Sequence, residues 1–287
     1  MPEGPAPAPV TQRLRVRYAK RGRLRFTSHR DISRAVERAI RRAGIPVAYS
    51  AGFTPHPRIS YAGAAATGVA SEAEYLELGL IEIRDPARVR ADLDAALPDG
   101  LDVLDVVPAR AGTALADRLE ASEWRVRLDD VDPGVAERAV RTFIAADEIE
   151  VERLTKKGRR RFDTRAAVSA FELDRHAMAD ATAACAILRM VVRHTTPAVR
   201  PDDVLTGLRH VADLAPPSPP MVTRLAQGPL TATGELADPL DPDRQEADRH
   251  EPDRQAVPGG DAAAVVTGPD TLRPVGAVDT GVVSARP

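Results

Sequence analysis

A chain of 287 residues with a single cysteine, Cys185, lacks the three thiolates that hold a radical S-adenosylmethionine iron–sulfur cluster, and it has neither a cysteine zinc site nor an internal disulfide. Its formal net charge of −2 excludes a uniformly basic surface, and 43% hydrophobic but only 3% aromatic residues, with 25 prolines, favour two small domains over one large core. No window approaches the roughly 18 continuous apolar residues that span a bilayer. The expected location is the cytoplasm, with no membrane partner.

Charge is unevenly spread. Residues 1–60 hold 13 Arg or Lys against Glu3, Asp31 and Glu37, a balance of +10. Six of the ten aromatic residues, Tyr18, Phe26, Tyr49, Phe53, Tyr61 and Tyr75, fall in the first 75 positions. Cationic side chains interleaved with rings suit a surface that neutralises phosphates and stacks exposed bases. A solvated arginine face in an arginine-biased chain is the plain alternative.

In chain order, residues 1–11 read as a disordered leader. Arg13-Leu14-Arg15-Val16-Arg17-Tyr18 alternates basic with apolar residues and predicts a strand with one cationic and one core face. A helix follows over 29–42, capped by Thr27 or Ser28 with Asp31 in capping-box position, and Gly44 and Pro46 stop it. Ile32, Val36 and Ile40 share its apolar side, while Arg30, Arg34, Arg38, Arg41 and Arg42 lie opposite.

Next comes Gly52-Phe53-Thr54-Pro55-His56-Pro57-Arg58-Ile59-Ser60, where two prolines fix their own φ and extend Thr54 and His56. A rigid polar loop of this kind is either a recognition surface or a turn joining helix to strand.

Strands near 58–64 and 74–83, a helix over 86–97 and a strand over 101–107 complete the order βαββαβ, that of a ferredoxin-like unit. Residues 109–121 read as a linker. The order then restarts. Trp124–Leu128 is a strand and Pro133 opens a helix. Ile149–Leu154 and Phe162–Phe171 form a hairpin around Lys157-Gly158, Ala184–His194 is a strand around a buried structural Cys185, and Pro201 opens a last helix. The predicted fold is α+β: two tandem ferredoxin-like units, 12–108 and 122–214, with a Pro-rich and mostly disordered tail over 215–287.

The tail holds twelve of the prolines and repeats Pro-Asp-Arg-Gln at 242–245 and 252–255. Met221–Ala226 is its one stretch apolar enough to dock as an extended arm. The rest of the tail is expected to be dispensable for folding.

Leu24-Arg25-Phe26-Thr27-Ser28-His29-Arg30-Asp31, Arg41-Arg42-Ala43-Gly44-Ile45-Pro46, Tyr49-Ser50-Ala51-Gly52-Phe53 and Val151-Glu152-Arg153-Leu154-Thr155-Lys156-Lys157-Gly158 resemble the radical-SAM-linked DUF2344 family. That resemblance covers roughly residues 13–210 and implies a cobalamin-type radical S-adenosylmethionine protein as partner, without implying a reaction.

The expected ligand contacts are Arg25, His29, Arg30, Tyr49, Phe53, His56 and Arg58, with Lys156 and Lys157 from a second basic cluster. No metal site and no cofactor are expected. The first reading is a non-catalytic accessory protein that presents RNA to its partner. The alternatives are a metal-independent RNA-processing enzyme using His29, His56 and Tyr49 for general acid–base chemistry, or a purely protein-binding module.

Overall fold

The computed structural model of the chain describes residues 7–155, 158–179 and 184–250. In the first half, β1 (Gln12–Lys20), α1 (His29–Arg42), β2 (Ile59–Ala62), β3 (Ala70–Leu80), α2 (Pro86–Ala96) and β4 (Leu101–Pro108) follow one another. The strands lie in the order β4-β1-β3 with β2 beside β3, and all these neighbours are antiparallel.

The second half runs β5 (Ala121–Asp129), α3 (Pro133–Ala145), β6 (Glu150–Thr155), β7 (Gly158–Asp163), β8 (Val168–Leu173), α4 (Arg175–Ala179), β9 (Cys185–Arg193), α5 (Pro201–Ala212), β10 (Met221–Gly228) and α6 (Asp241–His250). Its sheet has the order β10-β5-β9-β8, again antiparallel, while β6 and β7 form a separate hairpin. A short parallel pairing, Thr223 to Ala70 and Arg224 to Ser71, joins β10 to β3. The result is one mixed eight-stranded sheet in an α+β fold.

Two apolar cores form because strands bury every second residue and helices every third or fourth. Leu14, Val16 and Tyr18 of β1 meet Ile32, Val36 and Ile40 of α1 and Val89 and Leu93 of α2. Val126 and Leu128 of β5 meet Val140 and Phe143 of α3 and Val204 and Leu208 of α5. Each such side chain contributes about 1.5–3 kcal/mol relative to exposure.

The predicted limits of α1 hold. Ser28 caps it, its Oγ accepting the Asp31 N–H at 3.3 Å and donating to the Asp31 carboxylate at 2.7 Å. Gly44, at φ +62°, ends it, with the Ile45 N–H on the Ile40 carbonyl and the Gly44 N–H on that of Arg41. Cys185 is buried, as expected.

Three expectations are corrected. Phe162–Phe171 is not one strand, because the Asp163 carboxylate turns the chain by accepting the N–H groups of Ile149, Arg165 and Ala166 at 2.9, 2.8 and 3.1 Å. Phe162 therefore stays in the β6–β7 hairpin, while Phe171 enters the main sheet.

The second half also does not end at 214. Met221–Ala226, expected as a docked arm, belongs to β10, an interior strand between β3 and β5. Prolines at 216, 217, 219, 220 and 229 bracket it and give the region the composition of a loop.

Third, order continues through α6, which an ionic cluster holds in place of an apolar stripe. The Asp243 carboxylate accepts from Arg15 at 2.7 and 2.8 Å, from Arg118 at 2.6 Å and from the Arg110 N–H at 2.7 Å. Arg15 is only 1% exposed, and Leu240 packs beside it with Tyr75, Val107, Leu115 and Leu119. Two segments read as linker and tail thus close over the cationic face of β1. The part of the tail beyond residue 250 lies outside the described residues.

Burial alone pushes Asp243 up, but the hydrogen bonds from Arg118, Arg15 and Arg110 outweigh it and hold the carboxyl below its ordinary value. A depressed carboxylate stabilises the fold above its unfolded pKa of about 4, and this contribution is lost as pH falls through the lower folded value.

Asp243→Ala, which strands the buried Arg15 charge, should cost about 3–5 kcal/mol in urea unfolding. Truncation after Leu236 should cost at least as much, and Asp243→Ala should flatten the loss of stability below about pH 4. Ser28→Ala should cost about 1 kcal/mol through the lost cap.

Candidate nucleic-acid interface

The first-half site residues sit on two segments flanking α1. Before the helix, Gly22–Phe26 forms a 3-10 turn entered through Gly22 at φ +54°. The Arg25 guanidinium lies over the Phe26 ring at 4.5 Å, and the Arg25 carbonyl accepts the Gly68 N–H at 2.7 Å. His29, the first residue of α1, meets the Tyr61 ring edge-on at 4.9 Å. Burial pushes the Tyr61 phenol up to about 12, against the opposing effect of the Ser33 hydroxyl. Tyr61 therefore remains neutral near pH 7.

After the helix, the loop predicted to be rigid is closed by hydrogen bonds as well as by its prolines. The Arg58 N–H donates to Ala48 at 2.7 Å, the Ser50 N–H to His56 at 2.9 Å, and the His56 N–H to Ser50 Oγ at 3.0 Å. The Arg58 carbonyl accepts from Gly79 on β3, which fixes this ladder to the sheet. Gly52 turns the tip at φ +114° and leaves Phe53 95% exposed. Every side chain from Ala51 to His56 is exposed, so the loop contributes nothing to the core.

The six clustered aromatic residues divide. Tyr18 and Tyr75 are buried and Tyr61 is partly so, whereas Phe26 and Tyr49 are 59% and 39% exposed beside the free ring of Phe53. The arginines divide as well. Arg13, Arg15, Arg17 and Arg21 are paired with Glu77, Asp243, Asp238 and Glu72, so the cationic face of β1 is covered at Arg15 and partly at Arg17, while Arg13 at its start stays exposed. Arg25, Arg30 and Arg58 make no ion pair among the described residues.

No hydrogen bond or ring contact joins the His29 and His56 imidazoles, and Tyr49 pairs through its backbone with Pro57. Among the described residues no group of three or more His, Cys, Asp or Glu side chains is placed to hold a metal. Lys156 and Lys157 lie outside the described residues. The third lysine, Lys20, is buried and donates to the Ala65 and Ala66 carbonyls at 3.2 and 3.1 Å.

Arg25 and Phe26 also form one wall of a cleft of about 810 Å³, whose other residues include Arg125, Arg127, Arg189 and Met221. These second-half arginines were missed by sequence reasoning. The available signal was the match of Arg125-Val126-Arg127 to Arg15-Val16-Arg17, which places both pairs on alternating positions of a strand.

The family described as an uncharacterized protein conserved in bacteria, DUF2344, matches residues 13–201. A comparison with curated proteins finds no match. With most of its length matched, including α1, the closed loop and the strands of the main sheet other than β10, the chain belongs to the DUF2344 family.

Proposed function

We propose that this protein is a non-catalytic accessory protein that binds unpaired RNA and presents it to a cobalamin-type radical S-adenosylmethionine partner in the cytoplasm. The observation that carries the RNA reading is the exposure of Phe26, Tyr49 and Phe53 among three arginines, Arg25, Arg30 and Arg58, that have no carboxylate partner among the described residues. An exposed ring offers a stacking face to any base, and an unpaired guanidinium offers a fork of donors to a phosphate.

His29 and His56 add hydrogen-bond donors or acceptors beside these rings. His29 meets Tyr61 edge-on and His56 closes its loop through its backbone N–H, and we read both imidazoles as recognition groups. The partner is an inference from family resemblance and from Cys185, a single buried thiol, which leaves radical chemistry to another chain. We read the two halves as ferredoxin-like units, a reading supported by the strand order last-first-third-second that the main sheet shows in each half once the separate β6–β7 hairpin is left out of the count.

Binding of labelled single-stranded RNA, followed by anisotropy against salt, checks this reading. Three neutralised phosphates predict a slope of log affinity on log salt of roughly −2. Arg30→Glu with Arg58→Glu should flatten that slope, and Phe53→Ala should weaken binding by about 1–3 kcal/mol. RNA incubated with the protein in chelator should keep its ends. New cyclic-phosphate ends that disappear with His29→Ala and His56→Ala would promote the RNA-processing alternative, and absence of RNA binding at low salt would overturn the reading.

A further inference from the structure

Strands β1 and β5 hold equivalent places, each first in its half and each lying between that half's last strand and its long central one. In Arg15-Val16-Arg17 and Arg125-Val126-Arg127 the valine is fully buried in the helix-side core, so the arginines fall on the opposite face. In the first half that face is covered. Asp243 of α6 holds Arg15, Asp238 lies 3.9 Å from Arg17, and Leu240 supplies the apolar contact.

In the second half the same face borders the cleft, where Met221 is exposed and Ile187 is buried. Where Glu77 stands opposite Arg15 in register, Arg189 stands opposite Arg125. Each of the three arginines touches one carboxylate through Nε: Arg125 on Asp174, Arg127 on Asp129 and Arg189 on Glu123. Their terminal amino groups have no hydrogen-bond partner among the described residues, whereas both of Arg15's are used, on Asp243 and on the Thr113 carbonyl.

We propose that this face is a docking surface for an amphipathic acidic helix of a partner protein, seated as α6 is seated on the first half. Its carboxylates take the terminal amino groups of Arg125, Arg127 and Arg189, and an aliphatic side chain packs on Met221. The exposed Met221 and the carboxylate precedent within the same chain favour a helix over a polynucleotide here. The surface adjoins the RNA-binding edge at Arg25 and Phe26, but the proposal rests on Arg125, Arg127 and Arg189, which the RNA reading does not use.

The test uses the full chain and a fluorescent synthetic peptide with the sequence of residues 238–250, followed by anisotropy at low salt. The peptide should bind saturably. Arg125→Glu with Arg127→Glu in the chain, or Asp238→Asn with Asp243→Asn in the peptide, should weaken it by about tenfold or more. Arg30→Glu with Arg58→Glu should leave peptide binding unchanged. A peptide carrying Asp238→Arg and Asp243→Arg should bind the Arg125→Glu, Arg127→Glu chain, a rescue that an unfolded variant would not give.

No saturable binding, or binding indifferent to Arg125 and Arg127, would overturn the proposal. Displacement of the peptide by oligouridylate, with RNA affinity itself lost in the Arg125→Glu, Arg127→Glu chain, would assign the cleft to nucleic acid instead.

Discussion

Strand pairing joins the two halves through only two registered residue pairs, so beside the Asp243 cluster that seats α6 on β1 their union rests on what Arg224 touches. Arg224 is 3% exposed; its guanidinium donates to the Glu74 carboxylate, to Ser71 Oγ at 3.2 Å and to Gln227 at 3.4 Å, and lies over Trp124 at 5.6 Å. Gln227 in turn donates to the Gly63 and Ala73 carbonyls at 3.2 and 2.6 Å. A buried guanidinium is tolerated when its partners satisfy it, and removing one partner is far costlier than the pair is worth. This cluster therefore fixes register and orientation more than it adds net stability.

From the seam, the constraint reaches the site through the backbone. Glu74 also accepts the Ala65 N–H at 3.1 Å, Lys20 holds the Ala65 and Ala66 carbonyls, and the same segment ends at Gly68, which donates to Arg25. Burial pulls Lys20 below its ordinary range, with Glu74 opposing. The seam thus sets the wall of the cleft and the turn that carries Arg25 and Phe26, so a change in strand pairing is felt at the proposed RNA edge.

Much of this was legible in the sequence, for identifiable reasons. The length of α1, the Ser28 cap and the rigid loop at 49–58 follow from residues whose local chemistry decides the backbone. What escaped is non-local. The helix α6 has no apolar stripe and is held by Asp243 on Arg15, which lies 228 positions away. The strand β10 is bracketed by prolines, which hide a central strand under the composition of a linker. The +10 segment overstates the cationic surface, because alternation along β1 shows that Arg13, Arg15 and Arg17 share a face but not that carboxylates from β3, Asp238 and α6 cover it. The cleft arginines come from two strands and needed the sheet order before they could be seen together.

The account stands or falls on whether RNA lies along the exposed rings beside α1. Ultraviolet crosslinking of the protein to its RNA in the native cell, followed by mass spectrometry of the crosslinked peptides, tests this most directly. The account predicts adducts on the segments that carry Phe26 and Phe53, within 22–30 and 49–58. Protein recovered without RNA, or adducts confined to other segments, would contradict it.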